Sequence, residues 1–187
     1  MTIAFAFTGS FCTFQKAFAA LREVKAAFGD VIPVFSQTAA STDTRFGLAS
    51  DFLREAEEIC GHAPITTPVE AEPLGPRNLA QAMVIAPCTG ATLARLAHGV
   101  NDTSVTMAAK SLLRNDRPIV LAVSTNDGLS VSAESIGILM ARRNIFFVPF
   151  RQDDPMGKPR SLTADLSFLP RTLSEALSGR QIQPILA

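Results

Sequence analysis

Apolar runs of strand length alternate along this chain with stretches in which apolar residues recur every three or four positions. The first run, Thr2 to Thr8 (TIAFAFT), predicts a strand. From Phe14 to Phe28, residues Phe18, Leu21, Val24, Ala27 and Phe28 fall at helical spacing, and Gly29 supplies the stop. Val31 to Thr38 (VIPVFSQT) predicts strand two, and Phe46 to Ile59 a helix closed by Gly61. The segment APITTPV predicts a short third strand. AQAMVIAP predicts a fourth, which runs into a helix over CTGATLARLAHG. A further helix is expected over TSVTMAAKSLLRN, strand five over Pro118 to Thr125, a helix over SAESIGILMARRN and strand six over Ile145 to Phe150. Arg151 to Lys158 is polar and turn-rich, and a last short helix is expected around Leu169 to Leu177.

Strands with apolar residues on both faces, separated by helices, predict an α/β fold. The sheet is expected to be six-stranded and parallel, covered on both sides as a three-layer sandwich, in a single domain over residues 1–187. Ligands of such sheets lie beyond the carboxyl ends of the strands, near the point where strand order reverses. That rule nominates four loops: TGSFCTF, QTAASTDTRFG, PCTGAT and STNDGL.

Charge and composition narrow the function. Formal net charge is +0, which argues against a nucleic-acid groove or a membrane-surface protein. Tyr and Trp are absent, so base stacking would fall to Phe residues that sit in apolar runs. The three cysteines, Cys12, Cys60 and Cys88, are far apart and form no C-x-x-C pair. Neither a disulfide framework nor a metal site is expected, and a reducing cytoplasm fits. The first apolar run has no basic segment before it and is interrupted after Thr8, so it reads as a strand rather than a signal peptide.

The loops carry what chemistry there is. TGSFCTF has one glycine where a dinucleotide fingerprint needs three, and no acidic residue ends strand two, so an NAD site is not supported on this chain. Hydroxyls and backbone amides at a helix start can still hold a phosphate. The competing reading is an ordinary helix start capped by Ser10 or Thr13. PCTGAT places two hydroxyls around a glycine at a second helix start. The two loops together read either as two capped helices or as one anion or mononucleotide site. His62 and His98 have no cluster of ligands at metal spacing, and His98 suits the negative end of its helix. Cys88 at a helix start has two readings, a stabilised thiolate or a buried packing residue.

Several segments resemble known proteins. PCTGATLARLAHG after an apolar strand is similar to the P-x-S-A-N-T…A-x-G segment of flavin-binding cysteine decarboxylases and flavin prenyltransferases, and TGS to their first flavin loop. Beyond these, STDTRFG, AEPLGP, MVIAPCTG, MAAKSLLRNDRPIVLAVSTND and NIFFVPFRQDDPMGKP, with the closing IQPIL, resemble the B-subunit family of bacterial dipicolinate synthases over nearly the whole chain.

The resemblance implies a Rossmann-like or flavodoxin-like sandwich, bound FMN, and a homotrimer or a multiple of one. It implies an oxidoreductase component that acts in the cytoplasm of a sporulating mother cell. Its partner would be the A subunit of dipicolinate synthase, which carries NAD(P). The joint reaction would be the oxidation of a dihydrodipicolinate-type precursor to dipicolinate. The FMN cradle implied is Gly9, Ser10, Phe11, Cys12 and Thr38, with Pro87, Cys88, Thr89, Gly90 and Thr92, and with Ser124 and Thr125. Asn126 falls where the decarboxylases carry P-x-M-N, and Arg45 where they keep a catalytic loop. These two are the candidate catalytic residues. Arg45, whose planar fork matches a carboxylate, is also the first candidate for holding a dicarboxylate substrate, followed by Lys110 and Lys158. The decarboxylases carry a catalytic His after strand two, and none stands there here. Their motif Asn is Ala91, and the Pro and Met before Asn126 are Val123 and Thr125. The alternatives are an accessory chain without catalysis and a flavin-dependent decarboxylase.

Overall fold

The structure, a computed structural model, describes residues 1–186. Four parallel strands form its centre: β1 (Thr2–Phe7), β2 (Asp30–Phe35), β3 (Ala82–Cys88) and β4 (Ile119–Thr125), in the order β2-β1-β3-β4. Strand β5 (Ile145–Phe147) pairs in parallel with the first half of β4. The second half of β4 pairs antiparallel with β7 (Leu162–Ala164), which in turn pairs with β6 (Phe150–Arg151).

The side chains of β1 show why the sheet needs cover on both faces. Ile3, Phe5 and Phe7 join one apolar cluster and Ala4 and Ala6 the other, all fully buried. The first cluster is sealed by α1 (Phe14–Phe28), α3 (Ala49–Cys60) and α8 (Leu169–Leu177). It is rich in rings. Phe7 stacks on Phe35 at 4.7 Å, and Phe14 meets Phe52 edge-on at 4.8 Å. The second cluster is sealed by α5 (Gly90–His98), α6 (Ser104–Leu113) and α7 (Ser132–Met140). The three-layer α/β sandwich is therefore as expected.

The sheet departs from expectation in having seven strands, not six, and in not being wholly parallel. Expected strand six is broken at Pro149. Pro has no N–H to give a ladder, and the chain leaves β5 after Phe147 to start the antiparallel β6–β7 pair. Expected strand three shrinks to a single bridge between Ile65 and Val34. Its end instead enters α4 (Pro68–Ala71), whose start Thr67 and Glu70 secure with a capping box. Strand two stops at Phe35 rather than Thr38, because Ser36 accepts from Ala39 N and caps α2 (Gln37–Ser41). The following helix starts at Ala49, not Phe46, since Thr44 and Gly47 close a tight turn through paired backbone bonds of 3.0 and 3.1 Å.

Candidate functional site

The carboxyl ends of β1, β3 and β4 converge on an open cleft of about 410 Å³, within the usual size of small-molecule sites. Gly9 to Thr13 after β1, Thr89 after β3 and Ser124 to Asn126 at the end of β4 line it. One hydroxyl fastens the first two loops together. Thr8, 1% exposed, donates to Pro87 O at 2.6 Å and accepts from Thr89 N at 3.1 Å.

The two hydroxyl-rich helix starts, alike in sequence, differ in what their side chains do. Thr89 is a true N-cap of α5: its Oγ1 accepts from Thr92 N at 3.3 Å and lies 3.0 Å from Thr92 Oγ1. Ser10 and Thr13 make no capping bond. Their hydroxyls turn to Ser124 Oγ, at 2.8 and 3.0 Å, and form a three-hydroxyl patch shared by the loop after β1 and the end of β4. Such hydroxyls can turn their protons toward an arriving anion.

Gly90 opens α5 and has a steric role. A Cβ there would fall 2.6 Å from Ser132 Oγ, 2.8 Å from Thr125 Oγ1 and 3.0 Å from Asp127 Oδ1. Asp127 binds this corner together by accepting from Thr125 Oγ1 at 2.5 Å and Ser132 Oγ at 2.8 Å. The Thr125 bond, chiefly, holds its carboxyl below the usual range. With that carboxylate beside Gly90, the anion-accepting donors of the cleft are those on the Ser10–Thr13–Ser124 side.

The expected site residues are sorted by this geometry. Gly9, Ser10, Phe11, Cys12, Thr89, Ser124, Thr125, Asn126 and Lys158 line the cleft. Asn126 is exposed there. Thr38 lies on α2 behind Gly9, its Cγ2 3.2 Å from where a Gly9 Cβ would be. Pro87 is buried and offers the site only its carbonyl, already taken by Thr8. Cys88 does not reach the cleft. Its side chain is fully buried in the second apolar cluster, where desolvation pushes its thiol far up, so it is no thiolate. Lys110 is also outside the cleft. The start of α6 lies at the site end of the sheet, since Ser104 Oγ donates to Phe35 O, and Lys110 is exposed in the last turn. Arg45 is exposed with its guanidinium 4.9 Å from the Phe46 ring centroid. Its neighbours Thr44 and Phe46 line the cleft, but Arg45 does not.

Sequence reasoning misses the far wall: Asp153, Ser161, Leu162 and Thr163, brought by the β6–β7 pair. Lys158 Nζ stands 3.4 Å from Asp153 Oδ2 on that wall. The segment RQDDPMGKP stands out only by resemblance, and nothing in its pattern marks it as the side of a pocket.

The comparisons with known proteins agree with this architecture. The flavoprotein family model matches residues 1–164. The B subunit of dipicolinate synthase from Bacillus subtilis (strain 168) is 44% identical over 184 residues, covering 98% of this chain and 92% of the relative. A crystal structure of the dipicolinate synthase B subunit from Bacillus halodurans superposes with a TM-score of 0.91 at 39% identity, over 100% of this chain and 95% of that one. Burkholderia xenovorans DmrB in complex with FMN shares the fold, with a TM-score of 0.70 at 18% identity over 95% of each chain. The chain belongs to the flavoprotein family and, within it, to the family of dipicolinate synthase B subunits.

Proposed function

We propose that this chain serves as the B subunit of a dipicolinate synthase. Together with a nicotinamide-dinucleotide-binding A subunit, it takes part in oxidising a dihydrodipicolinate-type precursor to dipicolinate, with FMN held in the cleft at the strand ends. The kinship to the Bacillus subtilis protein, 44% identical over 98% of the chain, supports the partner and the reaction.

The observation that carries the flavin reading is the Ser10–Thr13–Ser124 hydroxyl patch, which is spent on no helix cap. The residues present fit an FMN phosphate. These three hydroxyls would hold it, and Gly9 lets the backbone after β1 pass close to Thr38 where a side chain would crowd it. Two electrons and two protons leave the ring of the precursor, and bound FMN would supply an acceptor for the electrons. Thr8 keeps the loops after β1 and β3 in register, and Asp127 ties the end of β4, with Asn126, to the start of α7 beside Gly90. Trimeric assembly, or a multiple of three, belongs to the same reading.

The test is product formation. Dipicolinate is measured with the A subunit alone, with both chains together, and with this chain freed of flavin and then reloaded. Full activity of the A subunit alone would refute the shared role. Equal activity of the flavin-free and reloaded forms would refute the redox role of FMN.

A further inference from the structure

A second groove, about 570 Å³, adjoins the cleft and shares Cys12, Thr13, Asp153, Lys158 and Thr163 with it. It runs between α1 and the β6–β7 pair, with Ala19 and Ala20 of α1 as a small apolar floor. Three cations line it: Lys16 from α1, Arg151 from β6 and Lys158 at the edge common to both spaces. Among the described residues, neither Lys16 nor Arg151 has a carboxylate within 4.0 Å.

The carboxylates of the groove are committed or remote. Asp165 Oδ1 accepts from Ser167 N at 3.1 Å and from Ser167 Oγ at 2.6 Å, and Asp153 pairs with Lys158. Glu23 is seven residues beyond Lys16, roughly 10 Å along the helix axis. The Asp165 carboxyl is held below its usual range, mainly by Ser167 and in smaller part by the fields of Arg151 and Lys16.

We propose that this groove binds a small dicarboxylate, with one carboxylate on Arg151 and the other on Lys16. Two cations on separate elements of one groove, neither in an ion pair within 4.0 Å among the described residues, suit two separated negative charges on a flat apolar body better than one compact anion. Arg151 brings a fork that grips a carboxylate through two parallel bonds. With no net charge on the protein, attraction of a dianion has to be local. The identity of the dicarboxylate as dipicolinate or its precursor rests on the proposed function. The groove's contact with the cleft then places substrate beside the cofactor.

The test is calorimetric titration of the purified chain, with and without FMN, in buffer free of divalent cations. The probes are dipicolinate, picolinate with its single carboxylate, and inorganic phosphate. Saturable dipicolinate binding is expected, with picolinate and phosphate each at least about tenfold weaker. Arg151→Ala and Lys16→Ala should each weaken dipicolinate roughly tenfold or more, while FMN affinity and melting temperature stay as in the parent. No saturation by dipicolinate, equal affinity for phosphate or picolinate, or unchanged binding in both variants would overturn the assignment. A chain that binds dipicolinate but adds nothing to the activity of the A subunit would refute the proposed function and leave this site standing. The reverse result would do the opposite.

Discussion

Thr8 and Thr89 are joined across the mouth of the sheet, the Thr89 amide donating to Thr8 Oγ1 at 3.1 Å while that hydroxyl donates to Pro87 O. Thr8 is 1% exposed, so no water can replace it easily. Thr8→Val preserves shape and leaves the buried Pro87 C=O and the half-buried Thr89 N–H without this partner, at a cost of about 1–3 kcal/mol. Urea unfolding should show the loss, and Thr8→Ser should restore most of it. A Val variant with the parent's midpoint would remove the hydroxyl from this role.

Asp127 predicts an acid-sensitive corner. Its carboxyl is depressed, first by the bond from Thr125. A depressed carboxyl contributes stability that is complete above its unfolded value, near 3.8. That contribution is lost as pH falls through the lower, folded value. Melting temperature should therefore fall less steeply for Asp127→Asn than for the parent as pH is lowered from about 5 to about 2. Parallel curves would show that this carboxylate bears no such load.

How far the sequence reveals these features depends on whether each is local. β1, β3 and β4 are legible because their residues are apolar on both faces, which only a covered central strand requires. β7 is not: Leu-Thr-Ala carries no period, and it is a strand only because the end of β4 offers it a partner. The loops of the cleft can be read from their position after strands. Which hydroxyls cap a helix and which face a ligand cannot. Thr89 and Ser10 stand in similar sequence surroundings, and only the approach of Ser124 separates them. Lys16 is invisible for a related reason. A lysine on the polar side of an amphipathic helix reads as solvated until β6 is known to lie opposite.

The three thiols should separate cleanly. Cys12 is exposed and lines the cleft, whereas Cys60 and Cys88 are buried. Desolvation raises the Cys60 thiol to about 11 and pushes Cys88 further still. Native protein at pH 8 should give one fast equivalent with a disulfide reagent, and denatured protein three. Saturating FMN should slow the fast equivalent. Unslowed labelling in the presence of bound flavin would move the cofactor away from the Gly9–Thr13 loop.

Arg45 is the leading substrate-binding residue by sequence, and its surroundings argue for a smaller role. The guanidinium lies 4.9 Å from the Phe46 ring centroid on an exposed turn, while the ring beside it lines the cleft. A cation over an exposed aromatic is worth about 0.5–1 kcal/mol. A bidentate grip on a substrate carboxylate would be worth roughly 1.5–3 kcal/mol. Even if the whole of the ring contact were felt in the transition state, its loss would be at most a factor of about two to five, against tenfold to over a hundredfold for the substrate grip. The complete two-chain enzyme carrying Arg45→Ala should therefore lose no more than about fivefold in kcat/KM for the precursor. Arg151→Ala, with its cation unpaired in the neighbouring groove, should lose about tenfold or more, chiefly through KM. A hundredfold loss for Arg45→Ala in a correctly assembled, flavin-loaded enzyme would return Arg45 to the substrate. It would also mean that the 44–47 turn closes inward when substrate binds.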